Sequence, residues 1–369
     1  MPPTGTVIIV AAARPNFMKV APILRELDRR EIHSTLVHTG QHYDANLSDI
    51  FFEDLNLRQP DIHLGIGSGS HAYQTGRVME AFDEVLEDLD AGCVVVVGDV
   101  NPTLACSLTA VKRHVPVAHV EAGLRSRDRT MPEEINRIAT DVICDLLLTT
   151  SADAVDNLIH EGIPSSRIHS VGNVMIDSLL HGVKRCSGHF KKHTGTEIPE
   201  NYAVVTLHRP SNVDHSERLQ TLLDLLDAST QSLDLVWPVH PRARSRLQEF
   251  GMWGELVEHS RIHMLDPLGY LAFINLMTSS KIAITDSGGL QEETTVLGIP
   301  CLTIRDNTER PITIDRGTNV LITSDKLATL PEIVAMKAAS PPHILNLDIE
   351  GWDGKAASRV VQVLIEIID

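Results

Sequence analysis

The sequence is poor in aromatic residues and in positive charge. Phe, Trp and Tyr together make up 4% of its 369 residues, too few for a protein that stacks the successive bases of a single strand. Lys and Arg number 32 against 49 Asp and Glu, which gives a formal net charge of −17 at pH 7. This balance argues against a protein that binds nucleic-acid phosphates or an anionic membrane, because both need a broad basic face. The cations that bind an anionic ligand must therefore be few and individually placed.

Long apolar runs and paired cysteines are also missing. The longest apolar stretches, such as residues 7–13 and 93–97, are far shorter than a membrane span. The first residues include no basic segment ahead of the apolar run, so we expect no signal peptide and a cytoplasmic location. The five cysteines form no C-x-x-C pair, which favours reduced core thiols over a disulfide or a metal site.

Short β-branched runs alternate with amphipathic stretches along most of the chain. This alternation is typical of right-handed βαβ units, in which helices cover both faces of a parallel sheet. We expect two α/β domains of Rossmann-like, doubly wound type, at residues 1–175 and 176–355. The last helix, 356–369, either closes the second domain or completes the first. The polar segment 181–201 is interpreted as a surface excursion just after the crossing between domains.

The pattern predicts individual elements as well. Strands are expected at residues 6–10, 34–38, 94–97, 117–120, 146–149, 203–206, 235–239, 282–285 and 301–304. Helices are expected at residues 17–30, 73–89, 132–145 and 218–230. Because ligands of such sheets bind beyond the carboxyl ends of the strands, the residues just after each strand are the candidates for function.

In the first half, cations and carboxylates follow the predicted strands. Arg14 and Lys19 flank the start of a helix after the first strand, which predicts an anion site, although a solvated basic pair is the alternative. Asp99 and Glu121 follow two buried strands, and Glu133 lies in the first turn of a helix. Asp99 could instead cap a helix, and Glu133 could serve the helix dipole alone. Buried carboxylates are nevertheless good general acids and bases.

The second half has an anion-binding pattern. A strand runs into Ser287-Gly288-Gly289 and then a helix, an arrangement that presents backbone N–H groups to phosphate oxygens. The pattern is neither a Walker A loop nor G-x-G-x-x-G, so it indicates phosphate but not specifically ATP or NAD. Glu293 lies one turn further on, where it could accept hydrogen bonds from ribose hydroxyls or stay solvated. Four more candidate ligands of an anion follow neighbouring strands: His208, Arg209, His240 and Arg310.

Motifs for metal binding and for a serine nucleophile are missing. The sequence has no H-E-x-x-H, no metal-ligand spacing of Cys and His, and no G-x-S-x-G. The residues therefore point to a nucleotide diphosphate that is bound mainly by the second domain. Its appended group would lie among the carboxylates of the first domain.

Taken in order, these motifs resemble those of the non-hydrolysing UDP-N-acetylglucosamine 2-epimerases. The resemblance covers nearly the whole chain. The matching segments are Arg14-Pro15 with Lys19, residues 39–42, Gly98-Asp99, residues 119–125 and 132–137, Gly172-Asn173, His208-Arg209, and residues 238–240, 286–293 and 308–311.

The resemblance implies a GT-B-like fold, with two Rossmann-like domains facing a central cleft that holds the nucleotide. It implies reversible conversion of UDP-N-acetylglucosamine to UDP-N-acetylmannosamine, through elimination of UDP to 2-acetamidoglucal and its re-addition. No cofactor and no metal are expected. A homodimer and a place in cell-surface polysaccharide biosynthesis are also implied, with no nucleic-acid or membrane partner.

The resemblance also assigns roles to residues. Asp99, Glu121 and Glu133 would transfer protons, and which of them abstracts the C2 proton stays open. Glu293 would hold the ribose. The groups that would stabilise the departing UDP are Arg14, Lys19, His208, Ser287, the N–H groups of Gly288 and Gly289, and Arg310.

The chain departs from the family pattern at several positions, and alternatives stay open. Ala12-Ala13 replaces Gly-Thr, Asn16 replaces Glu, and Leu207 replaces Gly. The segment after His42 differs from members in which this loop binds a second, activating substrate molecule. Residues 39–46 also resemble relatives that epimerise UDP-2,3-diacetamido-uronates, whereas residues 308–311 fit the N-acetylglucosamine branch better. A GT-B glycosyltransferase and a non-catalytic nucleotide-sugar sensor are the remaining alternatives.

Overall fold

The chain forms two compact units in a computed structural model that describes residues 5–12, 14–40, 52–197, 199–339 and 348–368. The side chains of Arg14 and Ile368 lie outside this description. The first unit comprises Met1–His181 and Asp348–Asp369, and the second comprises Gly182–Leu347. The chain thus leaves the first unit once and returns to it with its last helix.

Within the described ranges, the first unit contains a seven-stranded parallel sheet. Its strands are β1 (Thr6–Ala11), β2 (Ser34–His38), β3 (Ile62–His63), β4 (Ala91–Val97), β5 (Val117–Ala122), β6 (Leu146–Thr149) and β7 (Ile168–Ser170). Their order in the sheet is β3-β2-β1-β4-β5-β6-β7. The order reverses between β1 and β4, and such a reversal opens a crevice for ligands at the carboxyl ends of the strands.

The second unit contains a six-stranded parallel sheet in its described residues. Its strands are β8 (Tyr202–Thr206), β9 (Asp234–Pro238), β10 (Ile262–Leu265), β11 (Ile282–Thr285), β12 (Cys301–Thr303) and β13 (Asn319–Leu321). The order β10-β9-β8-β11-β12-β13 has its reversal between β8 and β11. Two doubly wound parallel-sheet α/β units confirm the fold class expected from the sequence.

Helices cover both sheets. In chain order they are α1 (Arg14–Arg29), α2 (His71–Asp88), α3 (Asn101–Lys112), α4 (Pro132–Ile143), α5 (Ala152–His160), α6 (Val174–Val183), α7 (His189–Thr194), α8 (Pro210–Val213), α9 (Ser216–Ser229), α10 (Pro241–Glu249), α11 (Trp253–Glu258), α12 (Tyr270–Thr278), α13 (Gly288–Leu297), α14 (Ile312–Asp315), α15 (Leu330–Ala338) and α16 (Ala356–Ile368), with 3₁₀ turns at Ser165–Arg167 and Ser324–Thr329.

The central strands are buried on both faces, which explains why the sequence reveals them. All nine predicted strands and all four predicted helices are confirmed to within three residues at each end. The strands that the sequence pattern missed are β3, β7, β10 and β13, and these are the edges of the two sheets. Edge strands are short and partly exposed, so they lack the continuous apolar run that identifies a buried parallel strand.

Hydrogen bonds attach the C-terminal helix to the first unit. The Asp177 carboxylate accepts from the N–H groups of Ala356 and Ala357 at 3.1 and 2.8 Å, which caps the start of α16. Arg30, just after α1, donates to the carbonyl oxygen of Ser358 at 3.0 Å. The last 22 residues are therefore assigned to the unit that also contains the first strand.

Burial and helix length add two further observations. All five cysteines are buried free thiols, and burial raises the pKa of Cys93 to about 12. None of the helices in the described ranges combines the length and the apolarity that crossing a bilayer requires.

Two glycines of the first unit provide a test of this packing. Gly172 and Gly162 have φ angles of +84° and +83°, so alanine at either position costs about 1–2 kcal/mol in backbone strain. A Cβ on Gly172 would lie 2.0 Å from the carbonyl oxygen of Gly351, whereas a Cβ on Gly162 would meet nothing within 4 Å. We expect Gly162→Ala to lower the free energy of unfolding by about 1 kcal/mol and Gly172→Ala by about 3 kcal/mol or more. Denaturant titration of both variants checks this, and equal losses would show that α16 and its preceding loop do not pack on the first unit.

Candidate functional site

Glu121 lies on a bulge at the carboxyl end of β5. Its φ of +71° is in the left-handed region, and the pairing of β5 with β6 shifts register between Val120 and Ala122. A bulge of this kind redirects one side chain at the end of a strand, and a non-glycine residue keeps such a conformation only where its surroundings enforce it. The backbone at Glu121 is therefore strained at a position that the sequence marks as a candidate for chemistry.

A buried ion pair holds the Glu121 side chain. The Nζ of Lys19, on the second turn of α1, pairs with Oε2 of Glu121, and both residues are less than a tenth exposed. Gly98, with φ +69°, lies against this pair, since a Cβ there would be 2.8 Å from the Lys19 nitrogen. Lys19 is thus engaged with a carboxylate inside the first unit. Its expected part in binding phosphate stays a prediction.

Asp99 follows β4 and is bound by an arginine that the sequence analysis did not single out. The Arg137 guanidinium, on α4, pairs with Asp99 and also with Glu134, whose Oε2 it meets at 2.7 Å. Asn136 donates to the Asp99 carbonyl oxygen at 2.9 Å. The Asp99 side chain is about a third exposed. Arg137 therefore orients its carboxylate, part of which stays accessible to solvent.

The two acidic residues at the start of α4 have different environments. Glu134 is buried and accepts from the N–H groups of Ser126 and Arg127 at 3.0 and 2.8 Å. Glu133 is partly exposed, and its side chain makes no hydrogen bond or ion pair with any group in the described ranges. Glu134 therefore holds a loop in place, whereas Glu133 remains available to a ligand.

In the second unit, the Asp286 carboxylate organises the residues after β8 and β11. It accepts from the N–H groups of His208 and Arg209 at 3.0 and 2.9 Å, and it pairs with Nδ1 of His208 at 2.9 Å. Burial raises the pKa of Asp286, but the His208 ring and the two N–H donors lower it further, so the net pKa lies below the usual value. Nδ1 is thus engaged with Asp286, and the His208 side chain as a whole is 36% exposed.

The N-terminus of α13 follows β11 as the sequence pattern predicted. Ser287 precedes the helix, and its N–H donates to the Thr285 hydroxyl at 2.9 Å. A Cβ on Gly288 would lie 2.6 Å from a Glu309 oxygen and 2.7 Å from an Arg310 nitrogen. Glycine at this position therefore lets an arginine approach the free N–H groups of the helix start.

Three arginines surround the buried Glu309 carboxylate beside this helix start. Arg305 binds it at 2.7 Å, Arg310 also binds it directly, and Arg209 lies 4.0 Å away. Arg310 makes a second ion pair, 3.0 Å long, with Glu292. Burial raises the pKa of Glu309, but the arginines lower it far more, so the carboxylate stays ionised and orients the guanidinium groups.

Glu293 is buried on α13, and its Oε1 has no hydrogen-bond partner in the described part of the chain. Burial and the neighbouring Glu292 charge raise the pKa of Glu293 to about 8. A buried carboxyl without a partner is costly, so it marks a place where a ligand with hydroxyl donors would be stabilised.

The candidate residues are divided between the two units. Lys19, Asp99, Glu121 and Glu133 belong to the first, and His208, Arg209, Ser287, Gly288, Gly289, Glu293 and Arg310 belong to the second. His240 joins the second group, because its ring centroid lies 5.1 Å from that of His208. Arg14 begins α1, but its side chain lies outside the described residues, as do Gln41 and His42.

Sequence reasoning did not single out Arg137, Asp286 or Glu309 as site residues. Each acts on a candidate residue through an ion pair or through backbone N–H groups. The sequence did hold a signal for Glu309, because it directly precedes the candidate Arg310 and has the opposite charge. In the described ranges no group of three or more His, Cys, Asp or Glu residues is arranged to hold a metal ion.

Comparison with known proteins identifies the family. The family model described as UDP-N-acetylglucosamine 2-epimerase matches residues 25–365. A UDP-N-acetylglucosamine 2-epimerase of Methanococcus maripaludis is 41% identical over 358 residues, which cover 96% of this chain and 97% of that protein. A UDP-2,3-diacetamido-2,3-dideoxy-D-glucuronate 2-epimerase of Pseudomonas aeruginosa is 37% identical and covers 98% of this chain and 99% of its own.

A solved structure shares the fold over the same extent. The crystal structure of the Methanocaldococcus jannaschii UDP-GlcNAc 2-epimerase in complex with UDP-GlcNAc and UDP has a TM-score of 0.89 and 38% identity. The match covers 98% of this chain and 99% of that one. Similarity therefore extends across both units and is not limited to a shared α/β topology.

The raised pKa of Glu293 predicts a pH-dependent stability. In the unfolded chain this carboxyl ionises near pH 4.5 and in the folded chain at about pH 8, so folding takes up a proton between these values. The contribution of Glu293 to the free energy of unfolding therefore falls as the pH rises from 4.5 to 8, and then levels off. We expect Glu293→Gln to gain in Tm relative to the unsubstituted protein over this interval, measured by calorimetry at pH 5 to 9.

The matched control for this prediction is Glu332→Gln. Glu332 is an exposed glutamate of the same unit, so its variant should follow the unsubstituted protein at every pH. A Tm difference for Glu293→Gln that does not change between pH 5 and 8 would contradict the raised pKa.

Proposed function

Since the chain belongs to the UDP-N-acetylglucosamine 2-epimerase family, we propose that it interconverts UDP-N-acetylglucosamine and UDP-N-acetylmannosamine. The observation that carries the proposal is the pair of carboxylates at the ends of β4 and β5. Asp99 follows β4 and Glu121 lies at the carboxyl end of the neighbouring β5. Each is oriented by its own buried cation, Arg137 and Lys19. Inversion at C2 needs acid/base groups in fixed positions, and this arrangement supplies them.

The second unit supplies the groups that suit UDP. The start of α13 offers N–H groups to the diphosphate, and Arg310 and Arg209 add positive charge beside it. Glu293 would accept hydrogen bonds from the ribose hydroxyls, which explains a buried carboxyl oxygen without a partner. His208, whose Nδ1 is engaged with Asp286, would hydrogen-bond the diphosphate through Nε2 as UDP departs.

The reaction we propose begins with loss of UDP. The C1–O bond breaks and its electron pair leaves with the UDP oxygen, while a carboxylate takes the proton from C2 and a C1=C2 double bond forms. The product of this step is 2-acetamidoglucal. Because the C2 proton of a sugar is only weakly acidic, stabilisation of the departing UDP by the second unit would provide a large part of the catalysis.

Re-addition completes the epimerisation. The UDP oxygen attacks C1, and an acid donates a proton to C2. This proton arrives on the face of the sugar opposite to the face from which the first proton was removed. Two faces require two groups, and Asp99, Glu121 and Glu133 are the three candidates. Exchange with water then restores the protonation state of both groups for the next turnover.

We further propose that the protein is cytoplasmic and forms a homodimer, and that its product is used in cell-surface polysaccharide synthesis. These three proposals are suggested by the family resemblance alone. A second candidate substrate is a UDP-2,3-diacetamido-uronate, because the Pseudomonas aeruginosa relative that carries that activity in its name is 37% identical. Supplying both sugars separately and following each anomeric NMR signal distinguishes the two.

Solvent exchange at C2 tests the proton-transfer mechanism. With UDP-N-acetylglucosamine in D₂O and no added metal or nicotinamide, we expect UDP-N-acetylmannosamine to accumulate with deuterium at C2. The label enters because the returning proton comes from a group in exchange with solvent. A proton NMR time course measures both, and product that retains hydrogen at C2 throughout would defeat the mechanism. Release of UDP only when an acceptor sugar is added would favour a glycosyltransferase.

Removal of the carboxylate charges tests the assigned roles. We expect Asp99→Asn and Glu121→Gln each to lower kcat by about 10²-fold or more, because general acid/base catalysis contributes on that scale. UDP should still bind, because most of its proposed ligands belong to the second unit; calorimetric titration measures this. Asp83→Asn is the control, because Asp83 lies on α2, half exposed and paired with Arg113, and it should keep full activity. Full activity of both site variants would contradict the assignment.

A further inference from the structure

A buried histidine that is not a candidate acid/base group lies close in the structure to the chain segments of Asp99 and Glu121. His119 is on β5, two residues before Glu121, and is fully buried. Its Nε2 lies 2.8 Å from the carbonyl oxygen of Gly98, the residue just before Asp99. Its Nδ1 lies 2.7 Å from Oδ1 of Asp141, on α4. One ring thus connects the strand end that carries Asp99 to the helix behind the site.

The same aspartate also holds the chain on the other side of Glu121. Oδ2 of Asp141 accepts from the Gly123 N–H at 3.1 Å and pairs with Arg125 at 2.7 Å. Asp141 therefore fixes the residues two before and two after Glu121. These anchors flank the bulge on which Glu121 has its left-handed φ.

The partners of the ring define the direction of its hydrogen bonds. A carbonyl oxygen can only accept a hydrogen bond, so Nε2 donates to Gly98. Two lone pairs would repel each other at 2.7 Å, so a proton lies between Nδ1 of His119 and Oδ1 of Asp141. Hydrogen bonds therefore hold the ring at both of its nitrogens.

We propose that His119 and Asp141 are positioning residues, a two-point clamp that holds Glu121 on its strained bulge and orients the Gly98–Asp99 peptide. The inference rests on the proposed epimerase function for its kinetic consequence. Its structural content, a His119 ring hydrogen-bonded at both nitrogens, does not depend on any activity. Backbone strain of this kind persists only where several contacts enforce it, and the clamp supplies them from one side chain pair.

Two substitutions divide the clamp between its halves. His119→Asn keeps a donor near the position of Nδ1 and loses the bond to Gly98, whereas His119→Gln places its amide near Nε2 and loses the bond to Asp141. We expect each to lower kcat by about 10- to 100-fold when kcat is normalised to UDP-binding sites. KM and the Kd for UDP should stay within about twofold of the unsubstituted protein.

The control changes the outer end of the same network. Glu161 pairs with Arg125 at 2.7 Å and is a third exposed, so Glu161→Gln should leave kcat unchanged. If the His119 variants have full kcat for each UDP-binding site and differ only in Tm, the clamp serves folding alone and the proposal is overturned.

A spectrum of the unsubstituted protein gives a readout that needs no variant and no turnover. With ¹⁵N-labelled histidine, the protons on both sides of the His119 ring should exchange slowly with water, because each is buried in a hydrogen bond. Ring protons that exchange as fast as those of exposed histidines would overturn the clamp. If neither variant folds, this spectrum decides. Absence of epimerisation by the unsubstituted protein would refute the proposed function, whereas fast exchange of the His119 ring protons would refute only the clamp.

Discussion

The buried ion pair between Lys19 and Glu121 is the interaction on which the first unit's site depends. Removing two charges from water is costly, and loss of one partner from such a pair typically costs about 3–5 kcal/mol. An apolar pair of similar volume would fill the same space without that cost. Glu121 moreover has a left-handed φ, which adds strain. Glu121 therefore adds two costs to the folded state. This indicates that the carboxylate is present for function and not for stability.

Counter-charges fix the orientation of candidate groups in both units. In the first unit, Lys19 and Arg137 each hold one carboxylate. In the second unit the signs are exchanged, because Glu309 orients the guanidinium groups around it. In both units a buried counter-charge therefore holds a candidate charge in place. Preorganised charges need no rearrangement during the reaction, and this is the physical basis of electrostatic catalysis.

The predictable part of the site follows from the topology. Parallel strands place their carboxyl ends at one edge of a sheet, so residues that follow strands can be assigned to that edge without coordinates. Asp99 follows β4 and Glu121 lies at the end of its neighbour β5, while Ser287 and His208 follow β11 and β8, which are neighbours too. The supporting residues Arg137, Asp141 and Asp286 were not predicted, because their roles arise from hydrogen bonds to residues 18 to 78 positions away in the chain.

The amino-acid sequence by itself determined the two-domain α/β class, the central strands and the order of motifs that indicates the family. Continuous β-branched runs are typical of strands that are covered on both faces. The central strands could therefore be predicted from the sequence, whereas the four edge strands could not. Only the tertiary structure decided that Lys19 lies with Glu121 and that Glu134 is buried while Glu133 is partly exposed. It also decided that Glu293 is buried with one oxygen that no described residue hydrogen-bonds. Burial and pairing of charges are properties of packed neighbours, and spacing along a chain does not contain them.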